Sequence, residues 1–490
     1  MVPLYALCGG AVEGESDAHS REDDADLDIN RLDVKKKVFS PKAKDIAHPS
    51  PSPDTYPTPN TLNNKPPRMD EAAAELFPTD AIKQARELWL RATSTSELEQ
   101  VESLYRQVLS SKSPSEDDET TEEPAKKKRK GHLKLCRSDY LRAGEKLALL
   151  LCQSGRCKKA KKPLTLMGFK CRLAESVLNY PTDISMRSES NNSTPCQIVD
   201  GFLTDVELEK LRSVFSCPSA HYWTSHNYQV EPPSPYFSYV VPLSEIRGDK
   251  QTKANDFGFI GNLIEKVLVC PMLTEKFSAL STETQFVEMW AHNRPHASGH
   301  QMHFDSDDEG RGGVRNPIIS TILYITGNDD GEDSNTTTSC TGGPSLITNQ
   351  KLGDTNLATH GWMAHPKSKR LVAFDGRYLH GVVPGKGVSL SSSRRVTLMF
   401  AFWKNVQIRR GLGPGSARPF PMKRSNNKLP EWAKLLSDSI VGDNKTDQSG
   451  YETCQVASPV ELEVVYESLD GKPWKKSKGM PSYDEVFQGF

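Results

Sequence analysis

The sequence of 490 residues lacks any long apolar run, since none approaches the roughly 18–20 residues that a membrane-spanning helix requires. Its first residues, MVPLYALCGGAVEGESD, hold a short apolar patch without preceding basic residues, a pattern that predicts no signal peptide. The ten cysteines are scattered and include no Cys-x-x-Cys pair, so we expect reduced thiols rather than a disulfide framework. These absences predict a cytoplasmic or nuclear protein without a membrane segment.

An excess of charge of one sign is also missing. The 62 Lys and Arg residues oppose 63 Asp and Glu residues, which gives a formal net charge of -1. The predicted strand region at 195–408 also has no patch of basic and aromatic residues. Together with the balanced charge, this argues against a nucleic-acid partner without excluding one. Hydrophobic residues make up only 36% of the chain, so we expect long disordered stretches beside the folded parts.

Composition divides the chain into four regions. Residues 1–69 are charged and then rich in Pro, Ser and Thr, which predicts a disordered arm. Residues 70–180 have helical periodicity, with a disordered acidic and basic insert at about 111–134. Residues 195–408 hold short apolar runs typical of strands, and 409–490 form a partly disordered C-terminal extension with one predicted helix, PEWAKLLSDSI.

The helical region is predicted to hold four helices. The first two form a hairpin, and Ser96 with Glu99 fits a capping box at the start of the second. A third helix is expected at about 138–152, and a fourth within 157–178 with an interruption at Pro163. Tetratricopeptide-like units and a small irregular bundle both fit this pattern.

The insert contains a run of basic residues, Lys126, Lys127, Lys128, Arg129 and Lys130. A run of this kind in an exposed loop is typical of a nuclear import signal. A solvated charge run neutralised by the adjacent acidic block is the alternative, and the sequence leaves both open.

Short apolar runs separated by turn residues follow Cys196. They are QFVEMWAH, STILYIT, GGPSLIT, RLVAFDG, GVVPG and RRVTLMFAFW. Such spacing predicts an all-β sandwich or barrel, preceded here by a strand and a helix that Thr204 or Asp205 caps.

The stretch AHNRPHASGHQMHFDSDDEG at 291–310 raises the question of a four-histidine metal site. Its histidines are His292, His296, His300 and His303. They would share one face of a helix, but Pro295 and Gly299 both oppose a helix interior. On a strand their spacing would split them between two faces. We therefore expect an approach loop, with the first three histidines at the rim of a site.

His303 and Asp305 form a second pattern, H-x-D. On a strand, residues i and i+2 point to the same side, so an imidazole and a carboxylate can converge on one ion. His380, at the end of a later apolar run, supplies a third donor. Two histidines and one carboxylate form the facial triad of non-haem Fe(II) oxygenases.

Arg395 opens the strong apolar strand RVTLMFAFW. Strand alternation places Arg395 and Thr397 on one face, and burying such an arginine is costly unless it meets an anion. Its planar guanidinium suits a carboxylate, and Thr397 and Tyr324 can add hydroxyl donors. Arg394 and Lys386 are the alternative cations for this role.

Six of these elements occur in an order that resembles the 2-oxoglutarate and Fe(II)-dependent dioxygenases, in particular their prolyl-4-hydroxylase-like branch. They are IVDGFLTDVELEKL, the His303/Asp305 pair, STILYIT, TGGPSLIT, RLVAFDGRYLHGV and RRVTLMFAFW. The resemblance implies an α+β protein with a double-stranded β-helix, or jelly roll, in 195–408. It also implies Fe(II) on His303, Asp305 and His380.

The resemblance further implies that Arg395, helped by Tyr324 and Thr397, holds the distal carboxylate of the co-substrate 2-oxoglutarate. O₂ would be the second co-substrate and ascorbate the reductant. Release of succinate and CO₂ would accompany hydroxylation of a substrate C–H bond, with a prolyl residue of a protein or peptide as the leading expectation. A lysyl residue, a nucleobase or a small metabolite is the alternative substrate. A non-catalytic interaction protein is the alternative class.

Overall fold

The computed structural model describes residues 77–111, 135–181, 194–228, 230, 237–247, 257–306, 315–327, 342–354, 356–389, 394–406, 416–421, 429–438, 464–472 and 485–489. All of them belong to one compact unit. The predicted arm at 1–69 and the basic run at 126–130 lie outside the described residues. The domain bounds therefore stay predictions.

The described residues form helices and strands in comparable number. The helices are α1 Pro78–Arg91, α2 Thr95–Ser110, α3 Arg137–Gln153, α4 Cys157–Leu166, α5 Glu175–Leu178, α6 Asp205–Phe215, α7 His221–Ser225, α8 Leu243–Arg247, α9 Gly258–Leu268, α10 Pro271–Lys276, α11 Ala279–Glu283 and α12 Glu431–Ser437. The strands are β1 Cys171–Leu173, β2 Cys196–Val199, β3 Phe237–Pro242, β4 Phe286–Arg294, β5 His300–His303, β6 Ile319–Tyr324, β7 Ser345–Lys351, β8 Gly361–Ala364, β9 Leu371–Asp375, β10 Tyr378–Val382, β11 Arg395–Trp403, β12 Ser416–Pro419, β13 Tyr466–Ser468 and β14 Val486–Phe487.

Two of the three sheets share one apolar core. The larger has seven strands in the order β12-β3-β4-β11-β6-β9-β2, and the smaller has four in the order β5-β10-β7-β8. Trp290 and Met399 of the larger sheet pack in one buried cluster with Ile347 and Trp362 of the smaller. The mixed α and β composition agrees with the predicted class, while the connectivity of a double-stranded β-helix stays a prediction.

Strand β11 lies inside the larger sheet and separates two cores. Val396, Leu398 and Phe400 join the cluster that helices α6 and α9 cover, whereas Met399 and Ala401 join the cluster between the sheets. The predicted alternation along this strand is therefore confirmed. Every one of its residues is buried.

Two helices begin with a capping box, in which the cap side chain and the third helical residue bond each other's backbone N–H groups. Thr204 caps α6 together with Glu207, as one of the two predicted alternatives. Ser94 with Glu97 caps α2, so the prediction of Ser96 with Glu99 is wrong. Both pairs have the same spacing, and the pair that forms the capping box is the one nearer the end of α1.

The helical region differs from its prediction after α4. Pro163 lies inside α4, which continues to Leu166, and the chain then forms strand β1 and the short α5 instead of more long helix. Strand β1 is the centre of the third sheet, whose order is β13-β1-β14. The tetratricopeptide-like pairing stays a prediction. No helix in the described stretches is long and apolar enough to cross a membrane.

The C-terminal extension supplies more structure than its sequence pattern indicates. Its predicted helix is present as α12, whose Trp432 and Leu436 are buried against α6 and α9. Strand β12 pairs in parallel with β3, and β13 and β14 flank β1. These three strands are only two to four residues long, too short to leave a periodic pattern.

Candidate metal centre and anion site

Strand pairing brings the two predicted metal-binding histidines together. His303 on β5 is the direct cross-strand partner of His380 on β10. The two Nε2 atoms lie 3.5 Å and 3.6 Å from Oδ1 of Asp305. Asp305 follows two residues after β5 ends, so the predicted placement of both H-x-D residues on one strand is wrong for the carboxylate. The three donors converge nevertheless.

Backbone carbonyls fix the orientation of both imidazoles. Nδ1 of His303 donates to the carbonyl of Gln301 at 2.7 Å, and Nδ1 of His380 donates to the carbonyl of Tyr378 at 3.0 Å. With the proton on Nδ1, each Nε2 keeps its lone pair for a metal ion. Such outer hydrogen bonds orient histidine ligands in metalloproteins.

Asp305 is held by the larger sheet rather than by its own strand. Its Oδ2 accepts a hydrogen bond of 2.6 Å from Oγ of Ser320 on β6. Its carbonyl accepts another of 2.6 Å from Nδ2 of Asn316. One carboxylate oxygen is thereby oriented toward the two imidazoles. His303, Asp305 and His380, here called the metal group, are thus attached to both sheets.

The charge distribution favours an ionised carboxylate at this position. Burial opposes ionisation of Asp305, but the adjacent His380 and His303 imidazoles, in their protonated form, hold the pKa of that carboxyl well below its usual range. One ligand atom from each of His303, Asp305 and His380 lies within 4.8 Å of the other two. Two neutral imidazoles and one carboxylate fit a ferrous ion and leave coordination positions for other ligands.

Arg395 lies on the inter-sheet face of β11 and is only 2% exposed. Thr397 follows on the same face, fully buried, and its Oγ1 has no hydrogen-bond partner among the described residues. Gly342 packs on the stem of Arg395, because a Cβ added there would lie 2.7 Å from its Cδ. A buried guanidinium beside an unused hydroxyl fits an anionic group such as a carboxylate.

Tyr324 and the two alternative cations, Arg394 and Lys386, each form hydrogen bonds within the protein. The hydroxyl of Tyr324 donates to the carbonyl of Ala364 at 3.1 Å and lies 2.8 Å from Oγ of Ser345. Nε and Nη2 of Arg394 donate to the side chain and carbonyl of Asn293. Nζ of Lys386 donates to the carbonyl of Tyr180 at 3.1 Å. Arg395 is thus the cation of the three that lies on the inter-sheet face.

His296 is buried and forms hydrogen bonds to two separate backbone segments, so its prediction as a rim residue is wrong. Its Nδ1 accepts from the backbone N–H of Gly342 at 2.9 Å, and its Nε2 donates to the carbonyl of Lys386. Burial lowers the pKa of this imidazole, which favours the neutral form that both hydrogen bonds require. The ring thereby holds Gly342 against Arg395.

The other two histidines of the 291–310 stretch, His292 and His300, form a row of rings that ends at the metal group. Ring centroids are 5.3 Å apart between His292 and His300, 4.5 Å between His300 and His303, and 4.3 Å between His303 and His380. Burial and nearby cationic groups hold the pKa of His292 and of His300 well below the usual range. Both are half-buried neutral rings that lie in a row beside the metal group without belonging to it.

The segment GWMAHP is in part a strand, β8, whose four residues are buried. His365, which follows this strand, is half-buried beside Tyr180, with ring centroids 5.6 Å apart. Burial and the nearby Arg370 lower its pKa to about 4. Trp362 of β8 packs in the core between the sheets, which explains why this short strand forms.

No family model matches the sequence, and no curated protein matches it. Among solved structures, a prolyl-4-hydroxylase from Pseudomonas putida matches at 13% identity and a TM-score of 0.26, over 45% of this chain and 95% of its own. A prolyl hydroxylase from Trichoplax adhaerens, in complex with a hypoxia inducible factor peptide fragment, matches at 13% identity and a TM-score of 0.21, over 43% and 84%. HygX from Streptomyces hygroscopicus, with nickel and 2-oxoglutarate bound, matches at 12% identity and a TM-score of 0.23, over 46% and 93%.

Proposed function

We propose that this chain is a 2-oxoglutarate- and Fe(II)-dependent dioxygenase that hydroxylates a C–H bond of its substrate. The observation that carries the proposal is the convergence of His303, Asp305 and His380 within 4.8 Å. Arg395, buried on the facing sheet, supports it as the partner of an anionic co-substrate. Bound iron supplies the redox chemistry, in which 2-oxoglutarate and O₂ give succinate and CO₂ while substrate C–H becomes C–OH.

The residues of the chain have separate roles in this proposal. His303, Asp305 and His380 hold the ion and leave coordination positions open for co-substrates. Arg395 and Thr397 bind the distal carboxylate of 2-oxoglutarate, and Tyr324 joins them once its hydroxyl exchanges a present partner for the ligand. The core between the sheets keeps bulk water from the reacting groups, which strengthens each of these charge interactions.

A prolyl residue of a protein or peptide is the leading candidate substrate, and ascorbate the candidate reductant. The row of neutral imidazoles at His292 and His300 supports an uncharged substrate group, since it offers ring faces and weak hydrogen bonds without a counter-charge. A prolyl ring has this character, whereas a lysyl ammonium would lack an anionic partner in that row.

Anaerobic spectroscopy tests the metal and co-substrate site. The wild-type protein with Fe(II) and 2-oxoglutarate should show a visible charge-transfer band, which His303→Ala and Asp305→Ala should abolish. His360→Ala is the matched control, because His360 stacks near Trp362 and lies outside the metal group. Absence of the band in the wild-type protein, together with no succinate after O₂ is admitted, would refute the proposal in favour of a non-catalytic interaction protein.

Mass spectrometry tests the substrate. Candidate proline-containing peptides incubated with the protein, Fe(II), 2-oxoglutarate, ascorbate and O₂ should gain a single oxygen on proline. Addition of the oxygen to a lysyl residue, a nucleobase or a small metabolite instead would support the proposed hydroxylation and identify a different substrate class.

A further inference from the structure

Strand β5 is the edge of the four-stranded sheet, and a side chain from a distant segment covers its outer side. The backbone N–H of Met302 donates to Oε1 of Gln488 at 2.8 Å. Met302 is 2% exposed and Gln488 is 5% exposed, so this hydrogen bond is shielded from water. An N–H left without an acceptor at this depth would destabilise the fold, which makes the glutamine a specific partner.

The peptide group that Gln488 contacts also holds His303. The N–H of Met302 and the carbonyl of Gln301 belong to one planar peptide unit, so fixing one of them fixes the other. That same carbonyl accepts the 2.7 Å hydrogen bond from Nδ1 of His303. The order of contacts is therefore Gln488, the 301–302 peptide unit, and the imidazole. Hydrogen bonds in such a series polarise and strengthen one another.

The position of Gln488 is set by the helical region. Its neighbour Phe487 pairs in parallel register with Arg172 of β1, and its ring lies 5.6 Å from that of Phe169. On the other side, Gly489 has a φ of +79°, and a Cβ there would lie 2.7 Å from Leu149 of α3. The glutamine is thus held between two buried contacts that both belong to the helical region.

His380 has no need of such a partner. Its strand β10 pairs with β5 at His380 and Val382 and with β7 at Tyr378 and from His380 to Val382, so the backbone around this histidine has ladder partners on both sides. Of the two strands that carry these histidines, only β5 lacks a second neighbour within the described sheet.

We propose that Gln488 is a positioning residue for His303, and that through it the segment 485–489 makes metal binding depend on the helical region. The inference rests on the proposed function in taking His303 as an iron ligand. It assigns the helical region a part in building the metal site, besides any part in binding substrate.

Gln488→Met tests the inference, because methionine has a similar shape and lacks the acceptor oxygen. We expect the dissociation constant for Fe(II), measured anaerobically by calorimetry, to rise about tenfold, the usual effect of losing an outer hydrogen bond of a ligand. Hydrogen exchange at the Met302 amide should accelerate in the absence of metal. Gln488→Glu retains an acceptor oxygen and should restore both measurements toward wild type.

Lys170→Ala is the matched control. Lys170 pairs with Glu485 at the exposed end of the same segment, with no contact to Met302 among its described partners. This variant should leave both measurements near wild type. Equal weakening by Lys170→Ala, or failure of Gln488→Glu to restore protection at Met302, would reduce Gln488 to a general packing role and overturn the inference. The exchange measurement needs no metal, so it stands even if the wild-type protein proves unable to bind Fe(II).

Discussion

The candidate site has a metal half, formed by His303, Asp305 and His380, and an anion half, formed by Arg395 and Thr397. Different parts of the fold support the two halves. His303 and His380 belong to the four-stranded sheet, and His303 lies on an edge strand of four residues. Arg395 begins a strand of nine residues that pairs with β4 along its whole length and with β6 over six positions. Backbone ladders therefore hold the anion half, whereas side-chain hydrogen bonds complete the metal half.

This difference determines which substitutions each half should tolerate. A ladder of backbone hydrogen bonds survives most side-chain changes, so the anion half should respond only to residues that touch Arg395. The metal half includes Asp305, whose orientation depends on Ser320 of the other sheet. Single changes outside the coordinating residues should therefore weaken metal binding more readily than co-substrate binding.

Arg395→Ala should produce the largest selective effect. Loss of a bidentate, charge-assisted contact in a buried site should weaken 2-oxoglutarate binding about a hundredfold. Fe(II) affinity should stay within about twofold, because the metal donors do not depend on this side chain. Titration of the charge-transfer band with 2-oxoglutarate measures the first constant and anaerobic calorimetry the second, and a melting curve confirms that the variant is folded.

Arg394→Ala is the control for Arg395→Ala. Arg394 is adjacent in sequence, and its guanidinium donates to Asn293. We expect co-substrate affinity close to wild type. A larger loss in Arg394→Ala than in Arg395→Ala would assign the anion-binding role to Arg394 and contradict its assignment to Arg395.

Ser320→Ala should weaken the metal half without altering any ligand. Removal of the 2.6 Å hydrogen bond to Oδ2 of Asp305 lets the carboxylate rotate, and Fe(II) affinity should fall about tenfold. Ser345→Ala is the matched control, since Ser345 is an equally buried serine that bonds Tyr324 instead of a metal donor. Calorimetry should separate the two variants. Equal Fe(II) affinities would show that the sheet, and not Ser320, orients Asp305.

The sequence was sufficient to predict those features that depend on local pattern. Alternation along RVTLMFAFW placed Arg395 and Thr397 opposite the face formed by Val396 and Leu398, and the structure has this arrangement. The grouping of His303, Asp305 and His380 also agrees with the structure, although their role as ligands stays a prediction. The first feature depends on a period of two, whereas the second is present although Asp305 lies beyond the end of β5.

The partners of these residues were beyond the reach of the sequence. Ser320, His296 and Gln488 contact the site through pairings that only the folded chain creates. Ser320 offers a weak signal, as one of two adjacent polar residues in a mostly apolar strand, but nothing in STILYIT identifies Asp305 as its partner. Gln488 follows a strand of two residues and offers no signal at all.

Gly342→Ala should affect only the anion half, and no more strongly than Ser320→Ala affects the metal half. Gly342 and Gly353 have nearly equal φ angles of +88° and +89°, so alanine at either position should cost a similar backbone strain of about 1 kcal/mol. Around Gly353 an added Cβ meets nothing within 4 Å, whereas at Gly342 it would meet Cδ of Arg395 at 2.7 Å and Cβ at 2.8 Å. Both variants should therefore lose stability through backbone strain, and Gly342→Ala should lose more, because the buried stem of Arg395 must also shift.

Only Gly342→Ala should displace the guanidinium, and we expect 2-oxoglutarate to bind about tenfold more weakly, an effect of roughly 1.4 kcal/mol. Fe(II) affinity should be the same in both variants, because neither glycine contacts a metal donor. The difference between the two in a 2-oxoglutarate titration isolates the contact with Arg395 from the backbone strain. If Gly353→Ala weakened co-substrate binding as much, the anion half would respond to a residue that does not touch Arg395. It would then resemble the metal half, which responds to residues outside its donors, and the contrast between the two halves would fail.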